Sequence, residues 1–170
     1  MLLFTCMAAH SQRMSRSEYI RKYQLLAISE MSRSGIPASI KMAQACLESS
    51  DGNSEMALKS NNHFGIKCKS DWKGARSYHD DDEKNECFRK YRTVEDSYVD
   101  HTNFLMGNPR YSALFQLQPT DFTGWAKGLK KAGYATDPQY AAKVIDIIEE
   151  HQLWRLDHKM TYEEMAQVEK

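Results

Sequence analysis

Apolar residues recur with a helical period along most of this chain. Ser15-Arg16-Ser17-Glu18 is a capping box, in which a serine and a glutamate three residues later satisfy each other's free N–H groups. It predicts a helix over residues 15–33, with Tyr19, Ile20, Tyr23, Leu26, Ala27 and Met31 as its apolar stripe and Ser34-Gly35 as its stop. Pro37 fits the first turn of a second helix, whose buried face is marked by Ile36, Ile40, Ala43 and Leu47. Residues 54–59 read as a short helical turn. Thr93-Val94-Glu95-Asp96 caps a further helix that turns Tyr98, Phe104 and Leu105 inward. Another helix starts near Thr120, runs through Trp125 and Leu129 to Ala132, and stops at Gly133. Asp137-Pro138 opens the helix that carries Ala141, Val144, Ile147 and Ile148. Residues 161–170 form a polar, weakly helical end.

The period changes between Phe64 and Tyr91. Residues 64–68, 75–79 and 86–91 alternate or cluster β-branched, aromatic and cysteine side chains and read as short strands. Asp80-Asp81-Asp82-Glu83-Lys84-Asn85 supplies the connecting turn. The chain is therefore mainly helical with one β-rich insert. It has no internal repeat and no linker that would divide it, and 170 residues suffice for one domain with a substantial core.

Composition narrows the function by exclusion. Lys+Arg and Asp+Glu are both 23, a formal net charge of zero, which gives no global field for nucleic acid or an anionic membrane surface. No segment approaches the roughly 18 apolar residues of a membrane span. Residues 1–9 are a short apolar run followed by polar His10-Ser11-Gln12-Arg13. This resembles the tail of a secretory signal without its basic beginning, and the alternative is a loosely packed tail. The division expected is residues 1–14 as partial signal or tail, 15–157 as the catalytic domain, and 158–170 as a polar end. Four cysteines are present, Cys6, Cys46, Cys68 and Cys87. Cys46 reads as small apolar filling in a helix. Cys68 and Cys87 flank the β-rich segment and are either a disulfide or buried free thiols, since spacing alone does not fix geometry.

Glu48 changes the picture. It ends the run Ala43-Gln44-Ala45-Cys46-Leu47-Glu48, beside an apolar face and at the C-terminal end of a helix. Desolvation there disfavours the charged form, and the partial negative charge of the helix end acts in the same direction. A carboxyl held protonated near neutral pH is what protonation of a glycosidic leaving oxygen requires.

Four segments in order then carry a resemblance: Ala45-Cys46-Leu47-Glu48-Ser49; Asn61-Asn62-His63-Phe64-Gly65-Ile66-Lys67; Phe88-Arg89-Lys90-Tyr91 with Glu95-Asp96-Ser97; and residues 132–141, from Ala132-Gly133-Tyr134 to Tyr140-Ala141. Over residues 36–156 the chain resembles the bacterial glucosaminidases of glycoside hydrolase family 73. That resemblance implies an α+β, mainly α, lysozyme-like fold in which a helical lobe and a small β-lobe hairpin flank a glycan groove. It implies an endo-β-N-acetylglucosaminidase that cleaves after N-acetylglucosamine, usually in peptidoglycan, with Glu48 as general acid. No cofactor or metal is expected, and the place of action is outside the cytoplasm, secreted or in the periplasm and envelope. Nothing marks an interface, so a monomer is expected.

The remaining site residues are less determined. A second acid from the β-lobe is expected at Asp82, then Glu83, then Asp81; the bland reading of that run is a solvated acidic turn. The substrate's own N-acetyl group could replace it, oriented by Tyr134 or Tyr140. The resemblance assigns Tyr134 an active-site role, against simple core packing. Asn61, Asn62 and Phe64 are candidates for binding sugar, as is Trp72, although strand entry and lobe core explain the aromatic pair equally well. His63, Cys68, His79 and Cys87 have zinc-ligand chemistry without a common zinc spacing. Two other readings share the fold: a glycan-binding module without turnover, and a muramidase or lytic transglycosylase.

Overall fold

A computed structural model describes residues 13–70, 72–81 and 84–158. Residues 1–12 of the proposed signal or tail, with Cys6, then Asp82, Glu83 and residues 159–170 of the polar C-terminal end lie outside the described residues. Six α-helices are described: α1 (Arg16–Ser34), α2 (Ala38–Ser49), α3 (Glu55–Ser60), α4 (Val94–Met106), α5 (Phe122–Lys131) and α6 (Tyr140–Glu150). Two 3-10 segments, Pro109–Gln116 and Leu153–Asp157, follow α4 and α6 and were not foreseen. The strands β1 (Arg76–His79) and β2 (Glu86–Arg89) pair antiparallel, Arg76 opposite Arg89 and Tyr78 opposite Cys87. The expected mainly helical chain with a small β hairpin is what forms.

The capping signals act where the sequence places them. Ser15 and Glu18 form the capping box of α1, and Thr93 and Asp96 that of α4. Gly35 ends α1 at φ +79°, a left-handed turn that an L side chain rarely adopts. Asp137 accepts from the N–H of Gln139, and α6 begins at Tyr140, slightly later than Asp137-Pro138 suggested.

Helix α2 departs most from expectation. It is not half-exposed: every side chain from Ala38 to Cys46 is buried, including Ser39, Lys41 and Gln44. Helix α2 packs against α1, α5, α6 and the last 3-10 segment, so it is the axis of the core rather than one of its walls. Pro37 offers α2 no side-chain cap. Asp157 supplies one from 118 residues away, accepting the Ser39 N–H at 2.8 Å and the Ser39 hydroxyl at 2.6 Å. Burial pushes the Asp157 carboxyl up to about 6, and these two donors pull against that rise.

The turn after α2 is equally fixed. Ser50, Asp51 and Gly52 take consecutive positive φ values, and a Cβ on Gly52 would stand 2.9 Å from the Tyr19 ring. Arg16 pairs with Asp51 at 2.9 Å, and the Asn53 amide bonds both the N–H and the carbonyl of Met14. The end of α2 is thereby tied to the start of α1.

The β-lobe has a smaller frame. Residues 64–68 form no full strand: Gly65 takes φ +61°, and the Asn62 carboxamide accepts the Ile66 N–H, curling the chain. Pairing resumes only at Lys67 opposite Phe88, with the Cys68 N–H donating to the Cys87 carbonyl. The Cys68–Cys87 alternative resolves as a disulfide, Cα atoms 5.3 Å apart. Cys46 stays a free, buried thiol.

Candidate active site

A groove of about 540 Å³ runs between the helical part and the hairpin. Glu48 and Leu47 from α2 form its floor. Phe64, Gly65, Ile66, Lys67 and Lys69 approach from the loop entering the β-lobe, with Asp81 from its turn. Phe104, Arg110, Tyr134, Asp137, Tyr140 and Lys143 close the helical side.

Glu48 sits in the last turn of α2, half-buried. Its carboxyl is pushed up to about 7, chiefly by burial. The neighbouring Tyr140 hydroxyl opposes the rise, while the charge of Asp81 across the groove adds to it. Tyr140 is itself buried, and the Gln44 side-chain amide donates to its hydroxyl at 2.9 Å. The hydroxyl proton of Tyr140 is thus left for Glu48. A carboxyl that keeps its proton near neutrality, facing an open groove, has the properties of a general acid.

Tyr134 follows the left-handed Gly133 that stops α5, and its ring lies 5.5 Å from that of Tyr140. Its hydroxyl bonds His101 Nε2 at 3.0 Å. Asp81 lines the groove and pairs with Lys67 at 3.0 Å. Lys67 also pairs with Glu86 at 2.9 Å. Of the three β-lobe acids expected, Asp82 and Glu83 are outside the described residues.

Three of the proposed sugar-binding residues, Asn61, Asn62 and Trp72, take places outside the groove lining. Asn62 is buried, its carboxamide donating to the carbonyls of Ile66 and Arg89 and accepting the Ile66 N–H. Asn61 caps α3 in a left-handed conformation and donates to the carbonyls of Tyr91 and Arg92. Both asparagines shape the loop rather than face the groove, because the curled backbone there leaves carbonyls and N–H groups for their amides. Phe64 borders the groove but is 3% exposed, its ring stacked on His101 with centroids 4.0 Å apart. Trp72 lies in a separate groove with Tyr91 and Asp96. Its indole N–H donates to the Ala75 carbonyl and the Arg89 guanidinium sits 4.5 Å over its ring. Of the five binding candidates, Phe64 and Tyr140 line the groove with Glu48, and Tyr140 acts on the acid's proton affinity.

The zinc alternative does not assemble. Cys68 and Cys87 are bonded to each other, and the His63 Nδ1 lies 2.6 Å from the Tyr19 hydroxyl. Among the described residues no cluster of three or more metal-ligating side chains occurs.

Several site residues were missed: Lys41, Gln44 and His101 behind the tyrosines, and Lys69 and Arg110 along the groove. Lys41 and Gln44 carried a signal. They precede Glu48 by seven and four positions, which places them on its side of the helix, in a stretch otherwise apolar.

The likeness of this arrangement to known proteins is broad. A family model described as mannosyl-glycoprotein endo-beta-N-acetylglucosaminidase matches residues 24–153. The chain is 37% identical over 124 residues to peptidoglycan hydrolase FlgJ of Vibrio parahaemolyticus, covering 66% of this chain and 40% of that protein. It is 38% identical over 130 residues to exo-glucosaminidase LytG of Bacillus subtilis, covering 70% and 45%. The chain spans about two fifths of the length of such curated relatives. The glycoside hydrolase domain of Salmonella typhimurium FlgJ superposes with a TM-score of 0.67 at 29% identity, covering 82% of this chain and 89% of that one. A peptidoglycan hydrolase from Sphingomonas sp. A1 gives 0.68 at 28% identity, covering 86% and 97%. With the model matched from the third turn of α1 to the last 3-10 segment, the chain belongs to the glucosaminidase family of glycoside hydrolases.

Proposed function

We propose that this chain is a peptidoglycan hydrolase that cleaves the β-1,4 bond after N-acetylglucosamine within glycan strands, acting outside the cytoplasm in the cell envelope. The observation that carries the reading is Glu48, a carboxyl raised to about 7 and facing a groove of about 540 Å³. Glu48 gives its proton to the departing glycosidic oxygen as the C–O bond breaks. The positive charge left on the sugar is met by a second group. Asp81 is in the groove and is our first choice; Asp82 and Glu83 in the same turn, or the substrate's acetamido oxygen held by Tyr134, are the alternatives. Water completes the hydrolysis and Glu48 recovers its proton. The peptidoglycan relatives support this substrate, and the family description supports this bond.

The test is digestion of purified peptidoglycan by the wild type and Glu48→Gln, with borohydride reduction and mass spectrometry of the products. Internal chain cuts with reduced N-acetylglucosamine ends from the wild type alone are expected. Reduced N-acetylmuramic ends would make the chain a muramidase, anhydro ends a lytic transglycosylase, and equal turnover by Glu48→Gln would remove Glu48 from the chemistry. No turnover by folded wild type would favour the glycan-binding module.

A further inference from the structure

Behind Tyr134 runs a line of buried polar groups that the cleavage chemistry above does not use. Lys41 on α2 has no exposed surface, and its Nζ lies 2.7 Å from His101 Nδ1 and 2.7 Å from Thr102 Oγ1. His101 on α4 is also fully buried, and its other nitrogen lies 3.0 Å from the Tyr134 hydroxyl. Phe64 stacks on the imidazole at 7° between planes and fixes the ring's orientation. A lysine in a helix core is costly to keep, since burial disfavours its charge and an apolar side chain would pack there without that cost.

Proton directions along this line follow from the partners. The Thr102 hydroxyl donates to the Tyr98 carbonyl at 3.2 Å, so toward Lys41 it accepts. Glu30, held ionised by Arg33, favours the protonated form of Lys41, although burial holds the amine well below its ordinary value. Protonated or neutral, the amine keeps N–H groups, and the relay has it donate to His101 Nδ1, 2.7 Å away. Burial, with Lys41 next to it, keeps the imidazole neutral, and a neutral ring that accepts at Nδ1 carries its proton on Nε2. Nε2–H then donates to the Tyr134 oxygen, and the tyrosine's own proton is free for the groove.

The same helix face does this twice. Lys41, Gln44 and Glu48 lie on one side of α2, and Gln44 donates to Tyr140 as His101 does to Tyr134. In both legs an interior donor fills the tyrosine's acceptor position and leaves the phenolic O–H directed at the reaction centre. One leg ends on Glu48. The other ends at Tyr134, a residue of the groove lining.

We infer that Lys41 and His101 are positioning residues for the glycosidase reaction, a buried donor relay that fixes the Tyr134 hydroxyl as a hydrogen-bond donor toward the bound sugar. The inference rests on the proposed glycan cleavage for its catalytic meaning, but not for its geometry. A donor so placed suits an acceptor that gains negative charge or must be held in one orientation, such as the acetamido carbonyl of an N-acetylated sugar. A merely structural role for the Lys41–His101 bond, tying α2 to α4, requires no particular tautomer.

The first readout needs no variant. Nitrogen-15 NMR of the full chain, with His101 assigned by its disappearance in His101→Gln, is expected to show a neutral ring protonated at Nε2. Protonation at Nδ1 would reverse every bond in the line and overturn the relay. The second readout is kinetic, on peptidoglycan. Lys41→Met is expected to lower kcat roughly tenfold, about the net effect of one hydrogen bond, with KM changed by less than about twofold. In a Tyr134→Phe background the same substitution is expected to add nothing, because the group it orients is gone. Additive losses, or a loss confined to KM, would overturn the relay. If Lys41→Met does not fold, the tautomer decides. If the folded wild type cleaves no peptidoglycan, the proposed function fails while the tautomer still decides the relay.

Discussion

The two sides of the groove are built in opposite ways. Glu48 stands on a helix buried on all sides, capped by Asp157 at one end and locked by the Ser50–Asp51–Gly52 turn at the other. Asp81 stands on the turn of a hairpin of two four-residue strands, held by one disulfide and a few backbone bonds. The proton donor is thus placed by the core itself, where a small displacement would cost the most packing. The opposing acid is placed by a lobe with little core of its own. A site of this design has one carboxyl with a fixed, shifted affinity for its proton and a facing wall that is set by local cross-links.

The largest effect tests the helical side. Glu48→Gln is expected to lower turnover on peptidoglycan by roughly a thousandfold, the size of a lost general acid, while the chain keeps its fold. Its stability should differ from wild type with pH in a definite direction. The folded carboxyl keeps its proton to about 7 against an ordinary 4.5. The stability it contributes is complete below 4.5 and lost as pH rises through 7. Above pH 7 the Gln variant should therefore be the more stable by about 3 kcal/mol, read by denaturant unfolding at pH 5 and pH 8. Equal stability of the two proteins at both pH values would mean that Glu48 is solvated like a surface acid.

The disulfide tests the other wall. Replacing Cys68 and Cys87 together by serine should destabilise the hairpin by about 3 kcal/mol, as expected for a loop of this length. Hydrogen exchange should accelerate at the amides of β1 and β2 while those of α2 keep their protection. Equal acceleration in α2 would show that the two sides fold as one unit and would dissolve the contrast.

A smaller effect is expected at the start of α2. Asp157→Ala removes the distant cap and leaves the Ser39 N–H and hydroxyl without a partner. The expected loss is about 1–2 kcal/mol in denaturant unfolding, with Glu48 displaced too little to abolish activity. No loss of stability would mean that Ser39 finds another partner and that α2 needs no cap there.

The smallest effect, a shift in the pH profile separate from the turnover lost with the second group, connects the two sides. Asp81→Asn removes a charge that helps to raise Glu48, while burial, the larger cause, remains. The alkaline limb of the rate profile should move to lower pH by a fraction of a unit. An unchanged limb would show that the hairpin turn exerts no field on the acid.

The same contrast explains what could be read from the sequence. The caps of α1 and α4, the stop at Gly133 and the acid at the end of α2 were legible because each depends on residues close in the chain. The depth of α2 was not, since beyond its packing on α1 its burial comes from α5, α6 and Leu153–Asp157, more than 70 residues later. The backbone bonds of Asn61 and Asn62 were illegible for a related reason: a polar pair in a glycan-enzyme motif suggests ligand binding, and only the curled backbone reveals the groups that their amides satisfy. Trp72 shows the limit of composition, an aromatic near the β-lobe that faces another groove. The choice among the turn acids was illegible because Asp80, Asp81, Asp82 and Glu83 have similar chemistry and no periodic pattern to separate them.

The most direct measurement is the titration of the Glu48 carboxyl itself, by carbon-13 NMR of the full chain, set beside the pH dependence of peptidoglycan cleavage. The account predicts a transition near 7, assigned by its absence in Glu48→Gln, with the alkaline fall in kcat/KM at the same pH. A carboxyl titrating near 4.5, or cleavage that persists unchanged well above the measured transition, would contradict Glu48 as the acid.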